Sequence, residues 1–133
     1  MKKILIIEDD WDFYNWLMGL LKPYFEMAGA MTAKEGLERL RKEKPDLVIL
    51  DMKFPIEPNG LPKKRMWLEV LKKIRKYENI KVIILGSENK DKEVEEMVKK
   101  GALDECIMKY ELEKGPERLL EAIKRVLGLK EEI

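Results

Sequence analysis

Carboxylates stand where two short apolar runs end. Glu8, Asp9 and Asp10 follow Ile4-Leu5-Ile6-Ile7, and Asp51 follows Leu47-Val48-Ile49-Leu50. Gly86, Ser87 and Glu88 follow Val82-Ile83-Ile84-Leu85, and Lys109 follows Cys106-Ile107-Met108. Brought to one place, these acids repel, and either one takes up a proton or a cation enters. A hard divalent cation such as Mg²⁺ is the better remedy, because it takes oxygen ligands and favours one or two carboxylates plus a phosphoryl oxygen. Lys109 would supply a second positive charge, and a hydroxyl with backbone N–H groups would hold a further oxygen. The set suits a phosphoryl group formed on an acid side chain, with Asp51 as the nucleophile. Taken singly, an Asp after a strand is most often a helix cap or turn residue, and a lone Lys is most often solvated. Only joint placement points to chemistry.

Whether the groups meet depends on the elements between them. The pattern predicts strands over 3–7, 46–50, 80–85 and 105–108, and a short, weakly apolar strand over 29–32. Helices are expected over 12–25, 33–43, 64–77 and 91–100, with a last one opening at Pro116 and ending at Gly128. The first carries Trp16, Leu17, Leu20, Leu21 and Tyr24 on one face, with Pro23 near its end as a possible kink. The third carries Trp67, Val70, Leu71 and Ile74 at i, i+3, i+4, i+7 spacing. A loop with Pro55, Pro58, Asn59, Gly60 and Pro62 follows Asp51. Five strand–helix units with continuous apolar strands mean a parallel sheet covered on both faces. The expected architecture is a doubly wound α/β fold, order 2-1-3-4-5, in which strands 1, 3, 4 and 5 are neighbours. Ligands in such sheets bind beyond the carboxyl ends of the strands.

Composition excludes other chemistries. The chain has 133 residues, one Cys and no His, so zinc triads, internal disulfides and imidazole catalysis are out. Lys+Arg is 27 against 26 Asp+Glu, a net charge of +1, so no global field points to nucleic acid or acidic membrane. No apolar run approaches the roughly 20 residues that cross a bilayer, and no secretory signal opens the chain. A cytoplasmic location is expected. The Lys/Glu-rich, Gln-free composition suggests a thermophilic source. Residues 1–128 read as one domain and 129–133 as a charged tail.

These residues resemble the receiver domain of two-component response regulators. Lys3-Ile4-Leu5-Ile6-Ile7-Glu8-Asp9-Asp10 is similar to the family's first strand and acidic pair. Pro45-Asp46-Leu47-Val48-Ile49-Leu50-Asp51-Met52 is similar to the strand that ends in the phosphoacceptor. Pro55, Gly60, the fourth strand and Gly101-Ala102 with Lys109 complete the likeness over about the whole chain. The resemblance implies a flavodoxin-like (βα)5 fold and a signalling switch, not a conventional enzyme. It implies that Asp51 takes phosphate from a sensor histidine kinase. Mg²⁺ would be held by Asp9, Asp51, the backbone carbonyl of Lys53 and, largely through water, Glu8. Lys109 would pair with the phosphoryl group, and Asp10 would cap a helix. Output would go to a separate, unknown downstream protein from a monomer or weak homodimer, with no direct contact to nucleic acid or membrane.

Three departures bear on output. The switch hydroxyl is expected directly after strand 4, where Gly86 stands; Ser87, one residue later, either swings in or leaves the work to backbone N–H groups. Cys106 occupies the place of the switch aromatic, and Tyr110 replaces the usual proline after the lysine. The loop from Pro55 to Met66, with Lys63-Lys64-Arg65, is longer than typical and reads either as a gate or partner contact or as a proline-stiffened loop. Lys53 reads as a solvated lysine or as a shield at the mouth of the site. Trp11, next to the acids, is placed to report metal binding. The competing reading is a degenerate receiver that acts by protein contact without phosphorylation. A haloacid-dehalogenase-type phosphatase needs an acid two residues after the nucleophile, where Lys53 sits. A flavodoxin needs a hydroxyl-rich loop where this chain has three acids.

Overall fold

Alternate residues of each central strand face opposite ways, so a run of four apolar side chains can be buried only between two layers. The computed structural model, described over residues 1–54, 60, 63–64, 66–87 and 92–129, shows both layers. Five parallel strands are β1 (Lys3–Ile7), β2 (Glu26–Ala30), β3 (Leu47–Asp51), β4 (Lys81–Gly86) and β5 (Glu105–Met108). Their order is β2-β1-β3-β4-β5, the expected 2-1-3-4-5. The helices are α1 (Trp11–Leu21), α2 (Ala33–Glu43), α3 (Met66–Ile74), α4 (Lys92–Lys99) and α5 (Glu117–Leu127).

One core lies between the sheet and α2, α3 and α4. There Leu5, Ile7, Val48, Leu50, Val82 and Ile84 meet Leu40, Trp67, Val70, Leu71, Ile74 and Val94. The other core takes the alternate strand residues, Ile4, Ile6, Ile49, Ile83, Leu85 and Ile107. It packs them on Leu17 and Leu21 of α1 and on Leu119, Ala122 and Ile123 of α5. The fold is thus a flavodoxin-like α/β sandwich. No described helix is long and apolar enough to cross a membrane.

Several boundaries differ from the expected ones. Helix α1 stops at Leu21, because Pro23 cannot donate to the carbonyl of Gly19; the N–H groups of Tyr24 and Phe25 both turn back to Leu21. Pro23 therefore lies in the following turn rather than kinking the helix. Trp16 and Tyr24 face outward, at 38% and 46% exposure, instead of inward. Strand β2 starts three residues early, at Glu26. Helix α3 is shorter than 64–77, since Lys63–Lys64 pair antiparallel with Lys53–Phe54 in a two-residue ribbon. Pro116 caps α5 from outside, its carbonyl accepting from Leu120 N–H. Pro55, Pro58, Asn59, Pro62, Arg65, Glu88 and tail residues 130–133 lie outside the described residues, so the expectations for the Pro55–Met66 loop and the tail do too.

Candidate functional site

Strand register decides which tips meet. Ile7 pairs with Leu50, and Asp51 pairs with Leu85 of β4, so Glu8 and Asp51 leave neighbouring strands at one level. Gly86 pairs with Met108, which brings Lys109 to the same edge. Glu8, Asp9 and Asp51 offer carboxylate oxygens that all lie within 4.8 Å of one another. Glu8 is 1% exposed and Asp51 3%. Lys109 Nζ stands 3.1 Å from Glu8 Oε2, donates to Glu8 Oε1 at 3.2 Å, and is 3.6 Å from Asp51 Oδ1. It also lies 4.6 Å over the ring of Phe13, a cation–π contact that holds its head. Asp10 sits outside the cluster: its Oδ1 accepts from Phe13 N–H at 3.2 Å as the N-cap of α1.

The electrostatics follow from that packing. Burial, then the charge of Glu8, push the Asp51 carboxyl up to about 8, against the opposing pull of Lys109. Burial likewise raises Glu8, with Lys109 pulling the other way. Burial works to lower Lys109, but Asp51 and Glu8 outweigh it and its pKa is raised. Among the described residues, the Lys109 ammonium contacts two of these acids, Glu8 and Asp51. Glu8 Oε2 and Asp51 Oδ1 are buried and accept no hydrogen bond. Two such oxygens beside a third carboxylate are a donor set that fits a hard divalent cation.

The hydroxyl side differs. Gly86 carries none, and a Cβ there would stand 2.7 Å from Met108 Sδ and 3.3 Å from Met52 Sδ. Ser87 is exposed and shares a groove with Phe13, Trp16, Lys109, Tyr110 and Leu112. Lys53 is half-buried in the short ribbon. Cys106, partly buried, pairs with Ile84 across the β4–β5 ladder. Trp11 is 63% exposed and stacks on Tyr14.

One residue at the site was missed from sequence. Glu111 Oε2 accepts the backbone N–H of Met108 at 2.7 Å, closing the 3₁₀ turn Lys109–Leu112. The signal was a Glu three residues past the end of a strand, the spacing of a capping box.

A parallel sheet of this order with acids and a lysine at its carboxyl edge defines a class, and sequence comparison agrees with it. The chain belongs to the response regulator receiver domain family, which matches residues 4–124. It is 30% identical over 130 residues to the chemotaxis protein CheY of Thermotoga maritima, covering 95% of this chain and 98% of that one. It is 33% identical over 135 residues to sporulation initiation phosphotransferase F of Bacillus subtilis, covering 97% and 96%. Among solved structures it resembles a CheY-like response regulator receiver domain protein from Methanospirillum hungatei. That match has a TM-score of 0.76 and 28% identity, and covers 96% of this chain and 94% of the other. Receiver domains are signalling switches of two-component phosphorelays; histidine kinases phosphorylate them and they act on downstream partners.

Proposed function

We propose that this chain is a phosphoryl-accepting switch whose acceptor is Asp51. The observation that carries the reading is a nearly buried carboxyl ringed by Glu8 and Asp9 and faced by the Lys109 ammonium. A sensor histidine kinase is the donor. An Asp51 oxygen bonds to phosphorus as the bond from phosphorus to the donor's histidine nitrogen breaks, and that nitrogen keeps the electron pair. Hydrolysis by water returns the carboxylate and inorganic phosphate, so the chain promotes its own phosphorylation and dephosphorylation and turns over no other substrate. Asp9, Asp51 and the Lys53 carbonyl would hold Mg²⁺, with Glu8 acting largely through water. The ion, when bound, neutralises charge on the transferring oxygens.

The chain's own groups do the rest. Lys109, 3.1 Å from Glu8 and 3.6 Å from Asp51, would pair with the incoming phosphoryl oxygens. Ser87, on the groove beside Lys109, supplies the hydroxyl that Gly86 lacks. Output passes to a downstream partner protein from a monomer or weak homodimer in the cytoplasm. The receiver unit spans residues 1–128, with 129–133 as its tail.

A second reading, a degenerate receiver working by constitutive contact, draws support from one observation. The volume beside Gly86 is filled by Met108, so the seat of a switch side chain is closed. Beryllofluoride with Mg²⁺ separates the two. Tight 1:1 binding seen by ¹⁹F NMR, lost in Asp51→Asn, is expected for the switch. No bound fluoride signal would favour the contact module.

A further inference from the structure

Lys109 must carry its ammonium to one spot at the end of a flexible four-carbon stem. A small rotation of its backbone moves Nζ by ångströms, so something must fix the turn it starts from. The resembled family has a proline after this lysine, whose ring fixes φ. Here Tyr110 stands in that place and fixes nothing by itself.

Glu111 divides its two oxygens. Oε2 accepts the N–H of Met108, the residue before Lys109, at 2.7 Å. Oε1 lies 3.5 Å from Arg118 Nε of α5. Arg118 in turn reaches Glu105 Oε1 at 3.1 Å, at the start of β5. The carboxylate is thus held from the helix side while it clamps the strand end. Buried Leu112, in the second core, anchors the far end of the turn. We infer that Glu111 is a positioning residue for Lys109: its cap on Met108 N–H fixes the turn that aims the ammonium at Glu8 and Asp51.

The inference deepens the phosphoryl reading and rests on it for its consequence, but not for its geometry. The test compares wild type, Glu111→Ala and Glu111→Gln, since the Gln carbonyl can still accept from Met108 N–H. Acetyl phosphate with saturating Mg²⁺ is the donor, and the half-saturating Mg²⁺ concentration is measured alongside. Displacing a reacting group by about 1 Å can cost about 100-fold, so Glu111→Ala, which loosens the turn without removing it, is expected to slow phosphoryl uptake about tenfold while Mg²⁺ half-saturation stays within about twofold. Glu111→Gln, which keeps a neutral acceptor in place of the charge-assisted one, is expected to keep uptake within about threefold.

The Lys109 Cε–Hε NMR resonance, read with no phosphodonor at fixed pH, is expected to move in the Ala variant and stay in place in the Gln variant. A folded Ala variant with wild-type uptake and an unmoved resonance overturns the inference. So does loss of Mg²⁺ affinity in the same proportion as uptake, which marks a general collapse. A Gln variant that behaves like Ala also overturns it, because charge rather than the cap would then be at work. If wild type takes up no phosphoryl group, the switch reading falls, and the Lys109 resonance still decides the positioning.

Discussion

Met108 lies across the ladder from Gly86, its sulfur 2.7 Å from where a Cβ on Gly86 would stand. The two residues share one volume: Met108 occupies the space that a side chain on Gly86 would need. Met108 is 1% exposed, so its thioether can yield only by finding new room inside. Overpacking of this kind costs about 1–3 kcal/mol. Gly86→Thr is therefore expected to destabilise the protein by about 1 kcal/mol in urea unfolding. In a Met108→Ala background the same change should be neutral or stabilising, giving a coupling of about 1 kcal/mol between the two. Additive effects would mean the shared volume is not limiting.

Ser87 is exposed on the groove that Lys109 also lines. If it serves as the hydroxyl, Ser87→Ala should slow phosphoryl uptake about 100-fold, the lower end of what one such donor contributes, and leave the unfolding midpoint unchanged. Uptake at the wild-type rate would assign the third oxygen to backbone N–H groups.

The raised Asp51 pKa sets a sign for pH. In the unfolded chain its carboxyl titrates in the ordinary range, and in the fold at about 8. Between those values the folded protein holds a proton that the unfolded chain has lost, so metal-free stability falls as pH rises through that window. Asp51→Asn removes this dependence and is expected to be on the order of 2 kcal/mol more stable than wild type at pH 8 in chelator. Little difference should remain at pH 5. Urea midpoints at the two pH values check it; a wild-type midpoint that climbs with pH would contradict it.

Lys109 is the cation that offsets Glu8 and Asp51. Lys109→Ala leaves buried carboxyls facing each other, at a cost of about 2 kcal/mol once the partial exposure of the lysine is allowed for. A Mg²⁺ ion held by these acids only in the folded state would restore much of that loss. Thermal melts with and without Mg²⁺ measure both, and a variant that Mg²⁺ stabilises no more than wild type would contradict the shared-charge picture.

The sequence made the sheet legible where burial on both faces forces continuous apolar runs, as at Ile4–Ile7 and Val82–Leu85. It misled at β2, where Glu26-Met27-Ala28-Gly29-Ala30 is small rather than apolar. At this edge strand Tyr14 lies so close over Gly29 that a Cβ there would stand 1.9 Å from its hydroxyl, and that contact cannot be seen in the strand's own residues. The meeting of Glu8, Asp9, Asp51 and Lys109 followed from strand order alone. The Gly86–Met108 packing and the Glu111 cap did not, since each needs the β4–β5 register or the turn geometry after β5.

The measurement that bears most directly on the whole reading is the intact mass of the protein after incubation with acetyl phosphate and Mg²⁺. One added phosphoryl group is expected on wild type and none on Asp51→Asn. An unmodified wild-type mass, or an equal adduct on both proteins, would contradict Asp51 as the acceptor.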